Sequence, residues 1–576
     1  MKTLIRRAVV ASLTGALTVS AAWAGATLIP ISGGDVADVR DEVTAASDDV
    51  AGDAGTARPP VATAPSNPLA LLGPDDVALP SGQLHNGLYH VGAAKVSLEP
   101  QPTAYDGYWE QDQTKCETLS ENFFADVPSN ADHVAHAGSP WPENPNCIYA
   151  GGYGLGPMNS LVEFDQEYGL WARTVAISDG SDPLFLTVID AEGWFWDYAT
   201  KCTDCGFKQI GQRLAEELGT DQSAFIFHST HSHTAMDFIG GWGFVPDWYM
   251  EQATDAVEES IRRAVDSMQV ARLEVGEVEA REFNRERRDT YRAAEEQQLT
   301  WLRAYAPGSE QVIATIGTYA AHPTTLGVED GIAHGDWPVV FEKRLEERFG
   351  GIGFHFMTGL GNMSATNPRH AHDHPEAEEG EPTVEMGRHL ADLVPAVGDG
   401  RPVDLTDVRT AQEIWYQPAT NVPLTALGAP GFFDRKFVEQ PAQVRTGENP
   451  DEAPCASASP VSVEVAANAA RIGDDLFITS GPGELFSNLT NVIKDKAKEN
   501  YGGAFAMPLA QANDALGYIL QSFEAAANPA SGQGAGFAES GPLYIEYEDA
   551  YSIDRCFGDM VLETTLRTLL PAVAAE

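Results

Sequence analysis

The sequence predicts an α/β fold in which a mixed β-sheet core is flanked by helices, and three observations carry that expectation. From Trp171 onward, short apolar runs alternate with stretches whose apolar residues recur at helical spacing. These two kinds of segment interleave along the chain instead of clustering in separate halves. With 576 residues, 43% of them hydrophobic and 9% aromatic, the chain lies far from the composition of disordered segments and can bury a sizeable core.

Taken from the N-terminus, Lys2, Arg6 and Arg7 precede an apolar or small stretch at residues 8–21, and Ala22-Trp23-Ala24 has the small-x-small form of a signal-peptidase site. Residues 1–24 are therefore expected to be a signal peptide, and the protein to be secreted or periplasmic. The apolar stretch is too short to cross a bilayer comfortably, and no later uncharged run of about 20 residues exists to do so. Residues 25–83, rich in Ala, Asp, Pro, Gly and Thr, read as a flexible acidic leader before one domain over residues 84–576. Within that domain, strands are expected at 174–178, 184–189, 224–228, 273–278, 300–305, 312–319, 353–357 and 476–479. Helices are expected at 208–218, 247–268, 339–348 and 485–498. Residues 369–382, 441–460 and 525–540 read as loop insertions. The first holds His370, His372 and His374 and is taken as a solvated surface segment, not a metal site.

The 84 acidic and 36 basic side chains leave a formal net charge of −48. Such a chain lacks the basic face that displaces counterions from nucleic acid, and it is repelled by anionic membranes. Six Cys in an exported chain read as disulfides, for which we expect Cys116 with Cys147, Cys202 with Cys205, and Cys455 with Cys556.

Four segments carry chemistry. Thr230-His231-Ser232-His233 directly follows the buried run at 224–227, which places two imidazoles at a strand end, where α/β sheets hold their sites. If strand geometry persists, His231 and His233 point the same way. A second strand ends at Ala321-His322-Pro323-Thr324. In Ser480-Gly481-Pro482-Gly483-Glu484, a β run meets a turn and a helix, so Glu484 either favours the helix dipole or completes a His2Glu ligand set. Gly359-Leu360-Gly361-Asn362-Met363-Ser364 sets glycines beside a serine, where free amide N–H groups could form an oxyanion hole.

In this order and spacing the four segments resemble the catalytic domain of the neutral ceramidase family, zinc amidases that cleave the N-acyl bond of ceramide. The resemblance runs over about residues 91–570. Thr230-His231-Ser232-His233-Thr234 is similar to the family's Thr-His-Thr-His-Ser, Ala321-His322-Pro323-Thr324 to Val-His-Pro-Thr, and Pro482-Gly483-Glu484 to Pro-Gly-Glu. Further matches are Asn513 to Ile519 for the segment whose second Tyr is a ligand, Tyr547-Glu548-Asp549-Ala550-Tyr551 for Tyr-Glu-Gly-Ala-Ser, and Asn284-Arg285 for the segment with a substrate-contacting Arg. The resemblance implies zinc held by His231, His322, Glu484 and Tyr518. It also implies Ser364 as nucleophile or water-positioning group, with His233, Tyr547 and Arg285 orienting the amide. Several features depart from the family: Asn362 and Ala365 stand where it has Asp and Pro, Thr234-Ala235-Met236 where it has Ser-Gly-Pro, Ala515 replaces its first Tyr, the loop before Tyr547 is longer, and no C-terminal immunoglobulin-like domain is expected.

The implied substrate is a ceramide-like lipid, with transient contact to lipid surfaces and no nucleic-acid partner. The competing expectations are a related zinc hydrolase of another N-acyl or ester compound, and a catalytically silent binding protein of the same fold.

Overall fold

The computed structural model describes residues 77–101, 134–135, 142–143, 147–154, 159–287, 294–328, 331–366, 381–421, 433–439, 445–447, 455–525 and 547–575. Residues Leu72–Glu576 form one compact unit. The expected signal peptide and nearly all of the expected leader lie outside the described residues, as do most of residues 369–382 and 526–546.

The first sheet is built from β1 (Leu88–Ser97), β2 (Trp171–Ser178), β3 (Pro183–Ile189), β4 (Phe225–Ser229), β5 (Gln269–Glu279), β6 (Gln298–Tyr305), β7 (Val312–Tyr319) and β8 (Ile352–Met357), in the order β8-β7-β6-β5-β1-β2-β3-β4. β3 with β4, and β7 with β8, are parallel; the other neighbours on this path are antiparallel. The second sheet orders β9 (Val408–Pro418), β10 (Val461–Ile472), β11 (Leu476–Ser480) and β12 (Phe505–Leu509), with β11 and β12 parallel. This is the mixed α/β architecture the sequence predicts.

In these two sheets each parallel pair is joined by a helix: α1 (Phe207–Leu218) between β3 and β4, α3 (Asp336–Phe349) between β7 and β8, and α5 (Ser487–Tyr501) between β11 and β12; α2 (Asp247–Asp266) and α4 (Glu381–Leu393) lie outside these units. These are three βαβ units, the connection that parallel strands require. Their strands are legible because both faces are covered, so β3 and β4 are buried at every position. α1 buries Phe207, Ile210, Gly211, Leu214, Ala215 and Leu218, a stripe at helical period, and ends at Gly219 with φ 66. α2 lies so close to β1 that a Cβ on Gly92 would meet the Ala264 carbonyl oxygen at 1.9 Å.

The long β9 and β10 were not predicted. β9 is half-buried along most of its length, and its polar residues follow no clean alternation that sequence periodicity detects. The expected loop 441–460 contains a short hairpin, with 445–447 paired to 455–457. Cys202–Cys205 and Cys455–Cys556 are disulfides, as expected. Cys147 is also disulfide-bonded, and Cys116 lies outside the described residues.

β4 and β8 are the two ends of the first sheet, and the segment that follows β12 joins them. Ala510 N–H donates to Met357 O (2.9 Å), Ser229 N–H to Gln511 O (3.1 Å) and Asn513 N–H to Phe227 O (2.8 Å). His228 Nε2 also accepts the Met357 N–H at 2.9 Å. The C-terminal ends of all three parallel pairs therefore meet in one place.

His355 on β8 is fully buried between the rings of Trp337 and Phe341, with no partner for either ring nitrogen. Burial pushes its pKa down to about 3. The folded state thus keeps this ring neutral while the unfolded chain protonates it below about pH 6.5, so the wild type loses stability through this group as pH falls from 6.5. His355→Phe removes that loss. Its stability relative to wild type should rise by about 2 kcal/mol between about pH 7.5 and about pH 5 in urea titrations, and a pH-independent difference would refute the assignment.

Candidate metal centre and cleft

The strand ends deliver the site. Thr230 N–H donates to Ile189 O and His231 N–H to Ala191 O, so the chain leaving β4 crosses over the end of β3. Strand geometry does not persist here, because His231 takes φ 61, a left-handed conformation rare for a non-glycine residue. The turn nevertheless brings both imidazoles inward: His233 Nε2 is 3.4 Å from His231 Nε2. His233 fits only because residue 152 is glycine, since a Cβ there would lie 2.3 Å from its ring.

His322 arrives from the end of β7, and its N–H donates to Met363 O. The nitrogens of His231, His233 and His322 lie within 4.8 Å of one another, with all three residues buried. Glu484 completes the group from the turn after β11: its Oε2 is 3.6 Å from His231 Nε2 and 3.7 Å from His322 Nε2. It sits on a short strand paired with Tyr518, not at the start of α5.

The electrostatics suit a cation. His231 Nδ1 lies 2.8 Å from the Glu192 carbonyl oxygen and His322 Nδ1 3.2 Å from that of Leu360. Donation by both Nδ1–H groups fixes the tautomer and leaves each Nε2 lone pair facing the cluster. Burial pushes the His231 pKa down to about 4 and those of His233 and His322 well below the usual imidazole range, so all three rings are neutral near pH 7. Burial also pushes Glu484 up to about 8, against the opposing pull of Arg287 and a hydrogen bond with Tyr518. Glu484 Oε2 is buried with no hydrogen-bond partner. Three neutral imidazoles and an unpartnered carboxylate oxygen form the donor set of a divalent transition metal, so the residues fit the zinc that the resemblance implies.

The remaining expected residues fall out differently. The Tyr518 hydroxyl accepts from Arg287 Nη2 at 3.0 Å, and Arg287 is held by Glu548 (2.9 Å) and Gly361 O (2.8 Å). Arg285, expected to contact the substrate, is exposed and pairs with Ser364 across a two-stranded ribbon, whereas Arg287, two residues on, is the arginine that reaches Tyr518. Ser364 is half-buried and borders the cluster through a parallel bridge to His322. The amides of Gly359, Leu360, Gly361 and Met363 all donate within the protein, which removes them as oxyanion-hole donors. Asn362, where the family has Asp, accepts from Ser487 N–H at 2.8 Å and so pins this loop to the start of α5. The Tyr547 side chain lies outside the described residues, whereas Tyr551 lines the cleft.

From the cluster a cleft opens between the apolar side chains of Phe195, Ile239, Trp242, Phe433, Leu516 and Ile553. Glu192, absent from the sequence expectations, also lines it. Its only sequence signal was an acidic residue three positions past the end of a buried strand. Among the described residues no helix is long and apolar enough to cross a membrane.

No protein-family model and no curated protein matches the sequence. Solved structures do. The chain is similar to the crystal structure of neutral ceramidase from Pseudomonas aeruginosa, with a TM-score of 0.56 and 15% identity over 84% of this chain and 74% of that one. It is similar to a ceramidase complexed with C2 at a TM-score of 0.55, with 15% identity over 84% of this chain and 75% of that one. The chain has the neutral ceramidase fold.

Proposed function

We propose that this chain is an exported zinc-dependent amidohydrolase that cleaves the N-acyl bond of ceramide-like lipids to a fatty acid and a sphingoid base. The observation that supports this most is the convergence of His231, His233, His322 and Glu484 at one end of an apolar cleft, on this fold. His231, His322 and Glu484 are the proposed zinc ligands. Tyr518, whose hydroxyl lies beside Glu484 and Arg287, would be a further ligand, and His233 would face the substrate. A zinc ion held there would supply Lewis-acid polarisation of the amide carbonyl.

The chain's own residues do the rest. The apolar wall holds the acyl chain and excludes water from the reacting amide. Water adds to the acyl carbon, the C–N bond breaks, and the proton passes to the departing amine nitrogen. The neutral His233 ring is the proposed carrier of that proton. Ser364, beside His322, either positions that water or attacks first as the nucleophile, in which case its proton goes to the departing amine and water hydrolyses the acyl-serine in a second step. Arg287 holds the Tyr518 hydroxyl, and Tyr547 is kept as a candidate for orienting the amide.

Metal analysis of purified protein, with assays of N-acyl-sphingosine, N-acyl amino acids and simple esters, tests this reading. Stoichiometric zinc and a preference for N-acyl-sphingosine are expected. Absence of zinc would turn the assignment to a binding protein of the same fold. Ser364→Ala should keep zinc and lose at least about a hundredfold in kcat, and full turnover would remove the serine from the chemistry.

A further inference from the structure

We infer that Gln511 is a substrate-recognition residue of the cleft: its side-chain carbonyl oxygen accepts the N–H of an amide bound beside the metal group, and so admits secondary amides in preference to tertiary amides and esters. The contact rests on geometry alone; only that this amide is then cleaved rests on the amidase reading.

Gln511 stands just past the end of β12, takes φ 47 and lines the cleft while only 2% exposed. Both of its backbone groups are used, the N–H donating to Gly483 O at 2.7 Å and the carbonyl accepting from Ser229 N–H at 3.1 Å. The left-handed backbone is thus pinned on both sides, and what Gln511 offers the cleft is its side chain. There Nε2 lies 3.2 Å from His231 Nδ1. That contact is not a hydrogen bond, because the Nδ1 hydrogen is directed at Glu192 O, and a ring nitrogen that carries hydrogen has no lone pair to accept with. Oε1 is buried with no partner among the described residues. A primary amide is therefore enclosed at the cleft with its acceptor unanswered, at a cost in free energy that a ligand N–H removes.

Place and chemistry select the ligand group. His231 turns Nε2 toward His233 and Glu484 and Nδ1 toward Gln511, so a single imidazole separates this amide from the metal group. In an N-acyl lipid whose carbonyl sits at that group, the nearest hydrogen-bond donor is the N–H of the same amide. An ester has an oxygen in that place, whose lone pairs would face Oε1, and a tertiary amide has an alkyl group; neither answers the acceptor. Unlike the carboxyls around it, a glutamine keeps its acceptor at every working pH. A site built to receive a substrate N–H rejects analogues that lack it, whereas an apolar wall barely distinguishes them.

N-octylmethanesulfonamide and methyl nonyl sulfone resist hydrolysis, have the same length and differ by N–H against CH2. The purified wild-type protein should bind the sulfonamide at least about tenfold more tightly in calorimetric titrations, and Gln511→Met, which keeps an unbranched side chain, should bring the two within about threefold. For turnover, N-dodecanoylethanolamine should exceed N-dodecanoyl-N-methylethanolamine in kcat/KM by about a hundredfold, and the variant should shrink that ratio at least about tenfold. The steric part of the N-methyl effect is common to both proteins and cancels between them. Equal affinities for the two sulfonyl compounds in wild type would overturn the inference, as would ratios unchanged in the variant; an amide turned to present its NH2 to the ligand would give the first of these results. Loss of hydrolysis for both amides in wild type, with the sulfonamide preference present and removed by the variant, would sink the amidase reading and leave the role of Gln511 standing.

Discussion

Glu484→Gln should abolish stoichiometric zinc binding and lower amide hydrolysis by about a thousandfold or more, the size expected when a Lewis acid worth several kcal/mol is lost from the transition state. The variant keeps the shape of the side chain, so the fold survives and the loss is read on a folded protein. A second readout is independent of activity. Burial pushes the Glu484 pKa up to about 8, so metal-free wild type holds a proton there at neutral pH that the unfolded chain releases. Between the unfolded and folded values the wild type is stabilised by that proton and loses the stabilisation as pH rises. Metal-free Glu484→Gln should therefore gain on wild type by about 1.4 kcal/mol per pH unit up to about pH 8. Retained zinc in the variant would overturn the ligand assignment.

Arg173→Met should cost about 3–5 kcal/mol of stability, the largest effect expected away from the site. Arg173 stands on β2 with a side chain 1% exposed, and its Nε lies 2.8 Å from Glu342 on α3, which is fully buried. Its Nη1 reaches Glu346 at 2.9 Å, and Asp190 adds a further nearby negative charge. Removing the cation leaves these carboxyls facing one another under the sheet. Combining it with Glu342→Leu should restore most of the loss, because the desolvated partner goes with it. Urea unfolding of the single and double variants decides this, and a single-variant cost under about 1 kcal/mol would show that the pair carries little of the β2–α3 packing.

Much of the fold was legible because its defining strands are locally coded. β3, β4, β7 and β11 are short apolar runs, and α1 carries a single apolar stripe. The candidate metal group was legible for a related reason: His231, His322 and Glu484 each sit within about five residues of such a strand end. The misses share a cause. β9 lies half-buried across the second sheet, so its pattern depends on which neighbour covers which face. Arg285 and Arg287 are two residues apart and chemically equivalent, and only the ribbon that pairs Arg285 with Ser364 decides which of them reaches Tyr518.

The residues alone determined the α/β class, the two His-bearing strand ends, the Pro-Gly-Glu turn and the acidic charge of the chain, since each is written in contiguous sequence. Only the tertiary structure decided how they combine. The segment after β12 bridges the two edges of the first sheet and brings three sets of strand ends together. The left-handed turn at His231 then carries His233 into the group. The same closure buries Glu192 beside them with an unanswered oxygen. Which side chains meet there is set by long-range hydrogen bonds and packing, which no local pattern in the sequence encodes.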